Sequence, residues 1–146
     1  MAITNKNSEQ FILELYTAEH DFGTDAFKFI LMNSAFVFNP ATHATYADIS
    51  ASEIATGAGY TQKTEALTTV AVAIVSNEIV VTCDSPVWTA TAGGIPAVSA
   101  CCVINDTHAT ETVVCCCEFG ATYTTADGQQ FQINYSNGLT KGTPNA

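Results

Sequence analysis

The chain contains no arginine. Its cations are four lysines set against fourteen acidic residues, and the formal net charge is −10. Phosphate contacts need Lys and Arg, so this balance argues against nucleic acid as a partner. The same deficit argues against docking on an anionic membrane. Charged residues make up only 12% of the chain, about half the ~25% of an ordinary domain, and the acid excess reads first as what keeps a sparsely charged surface soluble. No apolar run approaches the ~18 residues of a membrane helix. The opening segment, MAITNKNSEQF, lacks a basic region followed by a long apolar stretch, so it does not read as a secretory signal. The chain is therefore expected to fold in a reducing cytoplasm.

Chemistry-bearing motifs are missing as well. There is no G-x-S-x-G, H-E-x-x-H, P-loop or G-x-G-x-x-G pattern. Gly57-Ala58-Gly59 is too short and too far from a helix start to cradle a phosphate. His20, His43 and His108 sit in loops or at an element end, with no Asp or Cys at catalytic or ligand spacing, and each reads as a solvated histidine. Fourteen acids guarantee chance carboxylate pairs, so a glycosidase reading carries no weight. Asp84 and Asp106 sit at strand ends without the D-x-D-x-D spacing of a calcium loop. Neither an enzyme nor a cofactor site is expected.

What is present is β-forming sequence. The 146 residues, 47% of them apolar, fit a single domain, with residues 1–7 and 140–146 expected as flexible tails or arms. Ser8 can cap a helix over roughly Glu9–Glu19, whose Phe11, Ile12, Leu15 and Tyr16 form one stripe against a sheet. Ala26–Met32 alternates as a strand, Phe27, Phe29 and Leu31 on one face and Lys28, Ile30 and Met32 on the other. Strand-like runs follow at Ala66–Val75, Glu78–Cys83 and Val87–Ala90. Ala97–Ile104 and Thr112–Phe119 read as an antiparallel pair ended by Gly120. Thr122–Thr125 and Gln130–Tyr135 flank Asp127-Gly128, a hairpin signal, and Asn137-Gly138 makes one more turn. Short strands with frequent turn signals and one early helix predict a mainly β chain, an antiparallel β-sandwich or jelly-roll-like domain with one short N-terminal helix.

The six cysteines are Cys83, Cys101-Cys102 and Cys115-Cys116-Cys117. Adjacent residues of a strand point to opposite faces, so only about half could meet at one metal, and no C-x₂-C spacing occurs. Cysteine as a small apolar filler in strands buried on both faces ranks first. Metal binding ranks behind it, a functional disulfide behind that, and Cys83, Cys101 and Cys115 are the candidates for either.

Residues 41–59 make a long neutral connection, HATYADISASEIATGAGY being its core. Asp48–Ser52 fits a single helical turn, and Gly57 and Gly59 allow positive φ before Tyr60. Connections of this length are usually functional or mobile. The candidate protein-contact residues lie in and around it: Phe36, Phe38, His43, Tyr46, Asp48 and Tyr60, with Trp88 as a core or anchor tryptophan.

Several segments together resemble small structural proteins of tailed bacteriophages. They are His43, Tyr46, Asp48 and Ile49 in H-x-x-Y-x-D-I; Gly59-Tyr60-Thr61; Asp84 with Trp88-Thr89-Ala90; Phe119-Gly120; and a closing motif from Asp127 to Gly138. The resemblance covers nearly the whole chain and departs at the cysteine clusters, where such proteins more often carry aliphatics. It implies a non-enzymatic virion component made in the host bacterial cytoplasm. The specific expectation is a capsid cement or decoration protein on the capsid exterior. It would be a homo-oligomer, dimer or trimer, bridging neighbouring subunits of the major capsid protein. The alternative is a tail or fibre component acting as an adhesion or carbohydrate-binding module.

Overall fold

The computed structural model describes residues 4–135 and 138–142. In chain order the elements are β1 (Thr4–Asn7), α1 (Glu9–Tyr16), β2 (Phe27–Asn33), α2 (Tyr46–Ile49) with a 3₁₀ turn at Ser50–Ser52, β3 (Ala71–Val75), β4 (Glu78–Thr82), β5 (Val87–Thr89), β6 (Ile95–Asn105), β7 (Val113–Thr125), β8 (Gln130–Gln132) and β9 (Thr140–Gly142). The chain is mainly β. A four-stranded antiparallel sheet in the order β1-β7-β6-β2 forms the centre, beside a three-stranded sheet β3-β4-β9 and the pair β5-β8.

The central sheet is covered on both faces. On one, Phe27, Phe29 and Leu31 of β2 meet Val98, Cys101 and Val103 of β6 and Cys115, Cys117 and Phe119 of β7, under Trp88, Phe131, Ile133, Tyr135 and Leu139. On the other, Ile30, Met32, Ala100, Cys102, Ile104, Val113 and Cys116 lie under Phe36, Phe38 and Ile49 from the connection after β2. A strand with two dry faces must be apolar at every position, which is why β6 and β7 read as near-continuous runs. Their small residues let both coverings approach closely.

The neighbouring cysteines divide between these faces. Cys102 and Cys116 stand directly opposite each other in the β6–β7 ladder, 4.0 Å between Cα atoms, and are disulfide-bonded. Cys101, Cys115 and Cys117 are buried thiols on the other face, and Cys83 is half-buried beside them. The filler role expected of cysteine thus holds for the three buried thiols. The pair that bonds contains none of the three candidates; Cys101 also stands opposite a cysteine, Cys117, yet both remain thiols. No three cysteine sulfurs lie within 4.8 Å of one another among the described residues.

Several boundaries differ from those expected. Thr4–Asn7 and Thr140–Gly142 are strands rather than loose tails, because β7 and β4 each offer an unpaired edge. Gly120 does not end its strand: at φ +72° it sits where the β6–β7 register shifts, and β7 continues to Thr125 as a bulged strand. After Asp127-Gly128 the chain does not fold back on β7, and β8 pairs with β5 instead. Ala66–Val75 splits in two. Glu65 C=O and Leu67 N–H bond to β2, Thr69 takes a positive φ of 53°, and only Ala71–Val75 forms β3. The Asn137-Gly138 turn falls partly outside the described residues.

Candidate functional site

Helix α1 is built inside out. Ser8 caps it, its hydroxyl accepting the Phe11 N–H at 3.0 Å, and its C-terminus closes at Thr17. Ala18 then adopts φ 60° while Glu19 N–H reaches back to Glu14 C=O at 3.0 Å. That reversal stops the helix short of Glu19 and tucks His20 beneath it. The buried side of α1 carries Phe11 and Glu14. Ile12, Leu13, Leu15 and Tyr16 all face solvent, Tyr16 at 88% and Leu13 at 59% exposure. Of the expected sheet-facing stripe, only Phe11 packs inward. At 100° per residue the four exposed apolar residues span an arc of roughly 160°.

Glu14 is inside because its oxygens are supplied with donors. Its carboxylate receives His20 Nε2 at 2.7 Å, the Thr112 hydroxyl at 2.7 Å and the Gln10 amide at 2.7 Å. Burial pushes this carboxyl up, but those three hydrogen bonds outweigh it and hold the group below its ordinary value. The His20 side chain is wholly excluded from water. Asn105 assigns its tautomer: Oδ1 accepts the Thr107 and His108 N–H groups, so the amide nitrogen donates to Asp25 Oδ2 at 2.7 Å and to His20 Nδ1 at 2.9 Å. With Nδ1 accepting, His20 donates through Nε2 to Glu14. His108 extends the chain, Nε2 facing Glu19 at 3.1 Å and Nδ1 facing Thr110 and Thr112 at 3.0 Å. These two histidines, expected in solvent, are thus engaged, because the reversal after α1 brings His20 to Glu14 and the β6–β7 turn brings His108 to Glu19.

Glu14, Glu19 and His108 are the one group among the described residues that sets three metal-type donor atoms within 4.8 Å. Each already has a hydrogen-bonding partner, and the cluster reads as the brace between α1 and the β6–β7 turn. What the site offers outward is apolar area on a rigid, internally satisfied support.

Four of the sequence-derived contact candidates are inside the chain. Phe36, Phe38, Tyr60 and Trp88 are buried. The Tyr60 hydroxyl donates to Glu53 Oε1 at 2.5 Å and accepts Leu31 N–H at 3.1 Å. Half-buried His43 stacks on Phe36, ring centroids 5.3 Å apart. Tyr46 is half-buried too, its hydroxyl on Glu53 at 2.6 Å and Lys63 Nζ 4.6 Å over its ring. Asp48 is exposed and accepts the N–H groups of Thr45 at 2.8 Å and Ala44 at 3.2 Å. The structure therefore brings these residues together as the clamp that folds 36–60 onto the sheet. The outward face of α1 was missed, although the signal was present: Glu14 interrupts the apolar run FILELY at the position one turn from Phe11.

Charge around that face is one-sided. Glu9 precedes it, Glu19 and Asp21 follow it, and all three are exposed. Elsewhere Lys6 is held by Glu118 at 2.7 Å, and Lys63 by Glu111 and by Asp106 at 3.6 Å. No helix among the described residues is long and apolar enough to cross a membrane. Compared with known protein families, curated proteins and solved structures, the chain finds no match.

Proposed function

We propose that this chain is a non-enzymatic structural component of a tailed-phage virion. In this role it is a capsid cement protein that binds the outside of the shell and bridges neighbouring subunits of the major capsid protein. The single observation that supports it most is the outward face of α1: Ile12, Leu13, Leu15 and Tyr16 exposed together on a helix whose inner side is locked by Glu14 and His20. A short helix presenting anchors at i, i+3 and i+4 suits an apolar groove. The acids flanking it select a groove rimmed by Lys or Arg. Many weak copies on a symmetric shell hold through effective concentration. We also infer a β-sandwich of jelly-roll type, supported by the core that one face of the central sheet shares with β5 and β8.

An adhesion or carbohydrate-binding role on a tail or fibre has less support. It asks for Trp88, Tyr123 and Tyr135 exposed on one face, and Trp88 and Tyr135 are buried.

The test is co-sedimentation of the purified protein with undecorated phage shells, before and after expansion. Saturable binding at a fixed number of copies per capsomer supports cementing. Absence of binding to either shell overturns it, and a glycan screen then tests the adhesion role.

A further inference from the structure

Strand β3 is exposed at all five positions, Ile74 at 78%. It is an outer strand of its sheet, paired only with β4. Ser76 and Asn77 both take positive φ, 50° and 66°, which is the two-residue turn matched to strand twist. In such a hairpin the residues flanking the turn, Val75 and Glu78, exchange hydrogen bonds. Ala73 and Ala71 then also bond to β4, while the N–H and C=O groups of Val72 and Ile74 point away from it. A long apolar strand with an open edge is a template for another strand.

We propose that β3 pairs antiparallel with β3 of a second copy of this chain, about a two-fold axis at Ala73. Val72 then lies opposite Ile74 of the other copy, and the two pairs close four backbone hydrogen bonds. The two three-stranded sheets become one six-stranded sheet. Charge selects this occupant. From Ala66 to Asn77 there is no charged residue in a chain of net charge −10, so two copies can meet here without opposing like charges. The antiparallel arrangement also sends the two Glu78 residues to opposite ends of the joint sheet. Exposed Val72, Ile74 and Ile79 of both copies share the new surface. The pairing does not depend on the virion role proposed above, and it is tested without shells.

The experiment is mass measurement by light scattering across a wide concentration range, with three variants. Wild type is expected at twice the chain mass. Ile74→Pro removes an N–H that points away from β4, so the hairpin survives, and the protein is expected at the chain mass with an unchanged circular dichroism spectrum and a melting temperature lowered only by the loss of association. Ala73→Cys is expected to form a disulfide-linked dimer under mild oxidation, because Ala73 faces itself across the axis at a non-hydrogen-bonded pair. Val75→Cys faces Ala71 of the other copy and is expected to stay uncrosslinked. Wild type at the chain mass throughout overturns the proposal, as does crosslinking that does not discriminate position 73 from 75. A chain that gains mass only when shells are added assigns this edge to a different protein and also overturns it.

Discussion

Glu14 and His20 hold each other at 2.7 Å beneath a helix that turns Ile12, Leu13, Leu15 and Tyr16 to the solvent. The sign of the pH dependence follows. The folded Glu14 carboxyl lies below its ordinary value of 4.5, so its contribution is present above about pH 4.5 and is lost as pH falls through the folded value. Thermal melts are expected to show falling stability on acidification through that window. Glu14→Gln is expected to flatten the acid limb and to cost about 1–3 kcal/mol at neutral pH, because a partner of His20 or Thr112 is left unmatched. The limb is flattened rather than abolished, since Asp25 and Asp48 are also held below the ordinary Asp value by backbone N–H donors.

Binding and folding separate on two different surfaces. Leu13→Asp with Tyr16→Asp replaces exposed side chains and is expected to change stability by less than about 0.5 kcal/mol per site, while shell co-sedimentation is lost. Trp88→Ala empties a buried ring site and is expected to cost about 3–5 kcal/mol. If the double variant binds shells as wild type does, α1 is not the contact.

The thiols are countable. Burial pushes the Cys83 thiol up to about 11 and Cys117 up to about 12, so the native protein is expected to resist iodoacetamide at neutral pH. Unfolded without reductant, it should take up four labels, matching the free cysteines, and six after reduction. Reduction of a bond joining residues 14 apart is expected to lower stability by about 3 kcal/mol. Six labels without reductant would show Cys102 and Cys116 to be thiols.

Gly59 is the tightest point of the clamp. Its φ is +90°, and a Cβ placed there would sit 2.0 Å from the Thr89 carbonyl oxygen. Gly59→Ala is expected to destabilise by at least ~1–3 kcal/mol, read as a drop in the denaturant midpoint. A neutral outcome would mean that the 57–60 turn can move off β5.

The sequence was most legible where a single period governs. Phe27, Phe29 and Leu31 alternate with Ile30 and Met32 as read, because β2 lies between two dry faces. Helix α1 failed the same test because a hydrophobic stripe marks an interface without saying which one. The inward side was decided by Glu14, whose partners His20 and Thr112 are fixed only by the reversal at Ala18 and by the start of β7. The partner of β8 was equally out of reach: Asp127-Gly128 makes a local turn, but tertiary pairing with β5 competes with the local hairpin. Among the contact candidates, Phe36, Phe38 and Tyr46 could by sequence either pack the connection onto the sheet or face a partner. The loop itself buries them, since a sheet apolar on both sides must be covered by whatever segment is near.

The edge of the central sheet also sets a timetable. Lys6 of β1 meets Glu118 of β7 across 112 residues of chain. At ribosomal rates of ~5–20 residues per second, that interval lasts roughly 6–20 s. For that time the first strand has no partner to join. Its sequence is Thr-Asn-Lys-Asn, the most polar strand in the sheet, so the segment that waits longest is also the one best suited to waiting in water.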